Sequence, residues 1–265
     1  HLAAYAAEGL SHNIRHFNYE NNLLGSMRLI NASINHNVER FIFASSVAVY
    51  GSQDPPMQET LEPHPEDPYG VAKFAVEQDL RIASETFGLD YTIIRPHNIY
   101  GPRQHTGDHF RNVVGIFLRQ IAHEEPLTIF GSGQQTRSFS YVGDLTEPIV
   151  RLASTELGRN RILNLGSDNI YTVSELAERL CEITGKTPGF DFLPERNEVK
   201  HAIPDHAESI RLLGPYAKTT LDVGLEHTVR WFESAGVRPP TRFKSVEIRR
   251  GLPSSWVRYF PEGEA

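Results

Sequence analysis

Asp67-Pro68-Tyr69-Gly70-Val71-Ala72-Lys73 is the stretch whose reading decides the fold. Pro68 suits a first helical turn, because its ring fixes φ and its missing N–H has no partner to lose there. From that start Tyr69 and Lys73 fall on one helical face, so a phenol and an ammonium meet. A free tyrosine has a pKa of about 10 and is a weak base at neutral pH. A neighbouring ammonium favours the phenolate. Bringing the phenol near neutrality takes roughly 3 pKa units, or about 4 kcal/mol, of which one lysine supplies part. A second positive charge would help, and an oxidised nicotinamide ring carries one. Read without context, the same spacing is an exposed Tyr–Lys helix pair.

Upstream lies Phe41-Ile-Phe-Ala-Ser-Ser-Val-Ala-Val-Tyr-Gly51, an apolar run carrying two hydroxyls. It reads as a buried parallel strand whose carboxyl end presents Ser45 and Ser46. In open α/β sheets that end is where ligands bind. Together the two segments resemble the extended short-chain dehydrogenase/reductase family, in its NAD-dependent sugar-nucleotide epimerase/dehydratase branch, and the resemblance runs from His1 to about Trp256. It implies an α/β fold, a Rossmann-type doubly wound parallel sheet with a smaller α/β substrate domain. The implied boundaries are 1–102 plus 139–156 for the dinucleotide-binding domain, and 103–138 plus 157–265 for the substrate domain.

Composition fits an ordinary soluble protein. The chain has 265 residues, 39% hydrophobic and 22% charged, enough for one large domain or two small ones. A net charge of −7 argues against nucleic acid as a partner, which would call for a basic face. The single cysteine, Cys181, excludes an internal disulfide and a cysteine-cluster zinc site. Its place among Leu176, Leu180 and Ile183 reads as a buried thiol. Twelve histidines show no His-Glu-x-x-His or similar spacing, so no metal is expected. No apolar run approaches the roughly 20 residues that span a bilayer, and no signal peptide opens the chain, so the expected location is cytoplasmic, away from membranes.

In chain order, the resemblance places His1-Leu2-Ala3-Ala4 at the end of a strand, lining NAD. It also implies a glycine-rich turn for the pyrophosphate ahead of His1, within a further ~70–80 residues, the size of two to three βα units. From Asn21, the spacing of Leu23, Met27, Ile30 and Ile34 predicts a helix with one apolar stripe. Asn22 matches a cofactor-side asparagine, and a residue satisfying the helix start is an equal reading. Residues 53–66, with four prolines and four acids, predict a loop. Tyr91-Thr-Ile-Ile-Arg-Pro96 reads as a strand. By resemblance Pro96 backs the nicotinamide and Asn98 faces the sugar nucleotide.

A helix bearing Val113, Val114, Phe117, Leu118 and Ile121 follows, then the strand Leu127–Phe130. Asn112, Thr128 and Phe130 match substrate contacts. Gly131 and Gly133 predict a turn that delivers Arg137 to a diphosphate, which a guanidinium meets in bidentate fashion. Asp144 starts a helix. Beyond it come Ile162-Leu-Asn-Leu165, a helix over 173–183, Phe190-Asp-Phe, and helices near Asp205 and Gly224. Arg196 matches a second phosphate arginine, although its spacing to Asp205 is one residue short of the usual pattern.

The reaction that the resemblance implies is oxidation of a sugar at C4 by NAD. Tyr69 removes the hydroxyl proton, Ser46 hydrogen-bonds the same oxygen, and Lys73 lowers the tyrosine pKa and holds the nicotinamide ribose. Ser45, Tyr69 and Lys73 are thus cofactor-side residues as well. The family's 4,6-dehydratases carry Asp-Glu after the serine, and its UDP-glucuronate decarboxylases a glutamate two residues on. Here Val47 and Ala48 exchange no protons, which leaves 4-epimerisation, with UDP-glucose/UDP-galactose as first choice. UDP-glucuronate and UDP-N-acetylhexosamines remain open, and the resemblance implies a homodimer. A reading of another class is a non-catalytic NAD or sugar-nucleotide binding module.

Overall fold

Phe43, Ile93 and Leu163 have no solvent exposure and lie on three neighbouring strands of one parallel sheet. The computed structural model describes residues 1–196, 199, 201–239 and 245–260; 261–265 of the expected substrate domain therefore lie outside it. Strand β1 (Arg40–Ala44) pairs with β2 (Asp90–Pro96), and β2 pairs with the seventh strand in chain order, β7 (Arg161–Leu165). On one face Phe41, Phe43 and Ile93 meet Ile30, Val76 and Leu80. On the other, Ile94, Leu163 and Leu165 meet Leu152 and Leu213. Apolar side chains alternate onto both faces, so the sheet must be covered on both, which is the doubly wound arrangement.

The remaining elements follow in chain order. Helices α1 (Glu8–Ser11), α2 (Arg15–Tyr19) and α3 (Gly25–Asn35) precede β1, with one π-turn, Glu20–Leu24, between α2 and α3. Helix α4 (Pro68–Phe87) crosses from β1 to β2. Next come β3 (Ile99–Tyr100), α5 (Val113–Ala122), β4 (Leu127–Phe130), β5 (Thr136–Ser138), β6 (Ser140–Tyr141) and α6 (Val142–Ser154). After β7 lie β8 (Ile170–Thr172), α7 (Val173–Thr184), β9 (Phe190–Leu193), β10 (His201–Ala202), α8 (Ala207–Leu213), α9 (Leu221–Ala235) and α10 (Ser254–Val257). A second core packs α5, α7 and α9 around Phe117, Leu118, Leu180 and Leu225, with Cys181 buried in it. Beside it, β4 pairs with β9, and β5 lies between β10 and β8.

Three expectations are corrected. Residues 161–165, placed in the substrate domain by a boundary at 156/157, belong to the main sheet, and Leu213 of α8 packs against them. Four apolar residues in sequence do not say which sheet they join; long-range pairing with β2 decides it. The strand read in Phe41–Gly51 stops at Ala44, so Ser45 and Ser46 follow directly on its carboxyl end, and Val47–Val49 is a 3-10 turn capped by Ser46. The helix expected from Asn21 begins at Arg15.

Helix α4 forms as its sequence dictates. The Asp67 carboxylate accepts the Gly70 N–H at 2.9 Å, Pro68 occupies the first turn, and Gly88 at φ 73° ends it. What fixes α4 against the sheet is a buried ion pair. Arg95 of β2 donates to both Glu77 oxygens, at 3.0 and 2.6 Å, and Ser45 donates to the same carboxylate. Burial works against the Arg95 charge, but the Glu77 contacts outweigh it and raise its pKa. The guanidinium stacks 4.8 Å from the Tyr50 ring, whose hydroxyl donates to Asn164 of β7 at 2.8 Å.

Glu77→Gln leaves a buried guanidinium uncompensated and is expected to cost ~3–5 kcal/mol, read as a lower urea midpoint. Glu77→Leu combined with Arg95→Met is expected to recover most of that loss. A single-variant cost below about 1 kcal/mol would show that the pair does not anchor the helix.

Candidate active site

Ser46, Tyr69 and Lys73 come together at the carboxyl end of β1. Ser46 leaves the strand in extended conformation, and its Oγ accepts the Ala48 N–H at 3.1 Å. Tyr69 is the second residue of α4 and is buried, with the Ser46 hydroxyl placed so as to favour its phenolate. One turn on, the Lys73 ammonium donates to the Ala44 carbonyl at 2.7 Å and lies 4.7 and 5.7 Å from the Phe43 and Tyr69 ring centres. Gly70 makes this approach possible, because a Cβ there would sit 2.6 Å from the Ala48 carbonyl oxygen. Any side chain would push α4 off the turn that carries Ser46.

Burial sets the electrostatics. The Lys73 pKa falls from 10.5 to about 8, through burial that the nearby Glu77 carboxylate only partly offsets. Tyr69 moves the other way: burial raises its pKa, Glu8 and Asp67 add to the rise, and the nearby Ser46 hydroxyl opposes it. The expected lowering of the tyrosine by Lys73 is not among the causes of this shift, and in this state the phenol holds its proton.

The residues expected on the cofactor side fall into two groups. The His1 main chain bonds to Ile42 and Ala44 along the β1 edge, so Leu2, Ala3 and Ala4 leave beside the carbonyl that holds Lys73. Leu2 is 72% exposed, and Pro96 ends β2 half-buried. An exposed apolar side chain, two small ones and an ammonium fit the flat ring and ribose hydroxyls of a nicotinamide nucleotide. Asn22 and Ser45 act from behind. Asn22, buried in the π-turn, accepts the Tyr5 N–H at 2.8 Å and donates to the Tyr5 carbonyl at 2.9 Å, splinting the segment after Ala4. The Ser45 hydroxyl is turned to Glu77.

On the other side a cavity of about 180 Å³ is lined by Asn98, Asn112, Thr128, Phe130, Arg137 and Arg196, the expected substrate residues apart from Ser46. Asn98 and Asn112 both adopt positive φ, 39° and 60°. Their side chains donate to the Ser138 and Ile99 carbonyls at 3.1 and 2.7 Å, which fixes the loops on either side of β3. Thr128 accepts from Gln120 at 2.7 Å, and Arg196 stacks 4.4 Å from the Phe130 ring. Arg137 donates to the Thr136 and Val199 carbonyls.

Sequence reading missed Glu8, Arg111 and Gln135 in the same wall. Glu8 belongs to a four-residue helix with no periodic signal, and Arg111, ion-paired to Asp108 at 3.3 Å, sits beside Asn112 without a motif of its own. Among the described residues, no cluster of three or more His, Cys, Asp or Glu could hold a metal, and no helix is long and apolar enough to cross a membrane.

Known proteins share this fold. The UDP-glucose 4-epimerase of Thermotoga maritima, solved with UDP-glucose, is 35% identical with a TM-score of 0.81 over 89% of this chain and 76% of that one. The Thermus thermophilus UDP-glucose 4-epimerase, solved with NAD, is 29% identical with a TM-score of 0.80 over 88% and 76%. The dTDP-D-glucose 4,6-dehydratase of Mus musculus is 30% identical over 241 residues, 88% of this chain and 66% of that protein. The chain spans about two thirds of the length of the curated relatives it matches. Residues 1–166, which hold the whole main sheet and the Ser46–Tyr69–Lys73 cluster, match the NAD dependent epimerase/dehydratase family, and the chain belongs to that NAD-dependent family.

Proposed function

We propose that the protein interconverts UDP-glucose and UDP-galactose by epimerisation at C4. The observation that carries this reading is the cluster of Ser46, the buried Tyr69 and Lys73 at the carboxyl end of β1, in a turn whose next residues, Val47 and Ala48, hold no acid or base. NAD, when bound, accepts a hydride from the sugar and returns it.

This chain's residues then have defined tasks. Tyr69, as phenolate, takes the proton of the C4 hydroxyl while the C4–H pair departs, leaving a 4-keto sugar. Ser46 donates to the same oxygen. After the sugar presents its other face, the hydride returns and Tyr69 gives the proton back. The Lys73 ammonium and the positive nicotinamide ring oppose the burial that raises the phenol. Arg137 and Arg196 match the two charges of the diphosphate.

A panel of UDP-sugars offered to the intact protein tests the reading: UDP-glucose and UDP-galactose are expected to interconvert. Conversion of none would end the epimerase proposal. Tyr69→Phe is expected to lower kcat by about 10²–10⁴-fold, the usual worth of a positioned acid–base group.

Lys73 gives a pH signature. Its folded pKa of about 8 lies below the unfolded 10.5, so the unfolded chain holds more protons between these values and the lysine's cost to stability fades as pH rises through them. Lys73→Met is therefore expected to lose activity yet melt above the wild type at pH 7, with the margin shrinking above pH 8. Wild-type kcat should fall above pH 8 as the ammonium is lost; a flat profile to pH 10 would remove Lys73 from the proposed mechanism.

A further inference from the structure

The segment after residue 245 is absent from the roles assigned above, yet it packs against both parts of the molecule. Trp256 is 5% exposed and shares a cluster with Ala7, Leu10 and Ile14 of the N-terminal region, and with Phe110, Val246 and Phe260. Its ring lies 5.2 Å from Phe110 and 6.1 Å from Phe130, at 80° to the latter. Arg196 sits in the angle between Phe130 and Trp256, with its guanidinium carbon 4.4 and 5.9 Å from the two ring centres. Helix α1 closes the third side: a Cβ on Gly9 would lie 3.3 Å from Trp256 and 3.5 Å from Arg196. Stacking engages the faces of a guanidinium and leaves its N–H donors in the plane, the geometry that grips a phosphate in bidentate fashion.

A second observation points to a ligand. Next to the 180 Å³ cavity is another of about 110 Å³, and the two share Thr128, Phe130 and Arg196. Ser255, Trp256 and Tyr259 form its wall from the C-terminal side, and His109 stacks 3.9 Å from Tyr259. The Ser255 hydroxyl and His109 Nδ1 are buried there without a hydrogen-bond partner. Aromatic walls with buried polar atoms left over suit a flat, hydrogen-bonding ring such as a nucleobase.

We propose that residues 254–260 are the closing wall of the nucleotide site. Trp256 is a positioning residue that holds Arg196 for the diphosphate, and Ser255 offers its hydroxyl to the base. This rests on the nucleotide-sugar reading above and adds to it a segment that distinguishes the nucleotide rather than the sugar. Because the segment also touches α1, filling the site ties the substrate side to the dinucleotide side.

Intrinsic fluorescence with UDP as the probe tests it. The chain has two tryptophans, Trp231 and Trp256, so a Trp231→Phe background reports Trp256 alone. UDP is expected to change its emission. Trp256→Leu, assayed by calorimetry, is expected to weaken UDP about tenfold and to raise KM for the UDP-sugar equally with kcat unchanged, whereas Trp256→Phe stays within about threefold, as loss and retention of one cation–π contact predict. Ser255→Ala, which removes a hydroxyl the fold does not use, is expected to weaken UDP about fivefold without lowering Tm. Wild-type affinity in both Trp256→Leu and Ser255→Ala would overturn the proposal while leaving the epimerase reading intact. Failure of the wild type to bind UDP at all would overturn the nucleotide reading itself, and this proposal with it.

Discussion

The buried pairing of Glu77 with Arg95 is the constraint on which the rest of this structure depends. It joins the middle of α4 to β2, takes the Ser45 hydroxyl as a third member, and through Tyr50 and Asn164 reaches β7. Asn164 in turn donates to the Met57 and Asp205 carbonyls, so the proline-rich loop over 53–66 is tied to the same network. Removing two charges from water is costly, and a well-packed apolar pair could serve stability as well. What the ion pair adds is a fixed rotation and height for α4, which decides where Tyr69 and Lys73 emerge. The Gly70 contact with Ala48 is the other end of the same clamp.

The clamp holds two ionisable groups where neither is comfortable. Burial raises the Tyr69 pKa and lowers that of Lys73, so each is pushed toward its neutral form. Such a site is poised rather than relaxed, since a positive ring placed beside it would shift the tyrosine toward the base that the proposed reaction requires. Stability and chemistry oppose each other at Lys73, where an apolar residue would suit the fold better and the reaction worse.

Much of this was legible in the sequence because it is local. Helical period alone brings Tyr69 and Lys73 to one face, and Asp67-Pro68 marks the start of that helix. The unbroken apolar run from Phe41 and the β-branched run from Tyr91 read as buried strands of a parallel sheet. Asn98, Asn112, Thr128, Phe130, Arg137 and Arg196 were found by their place in motifs, and all six line one cavity. The illegible parts depend on partners distant in the chain. The sheet membership of 161–165 is set by β2, the orientation of Ser45 by Glu77, and the place of Trp256 by α1 and Phe130. The Tyr69 shift was missed for a related reason: spacing shows which charge is near, but burial, which dominates here, follows from the packed structure.

The central claim is that Tyr69 and Ser46 move a proton while the C4 hydrogen travels as a hydride that never leaves the site. The measurement that addresses it most directly is conversion of UDP-glucose carrying deuterium at C4, with the product read by NMR. Retention of deuterium at C4 of UDP-galactose, with none lost to water, is the predicted result. Loss of the label to solvent would mean that the hydrogen leaves as a proton, and would contradict the account.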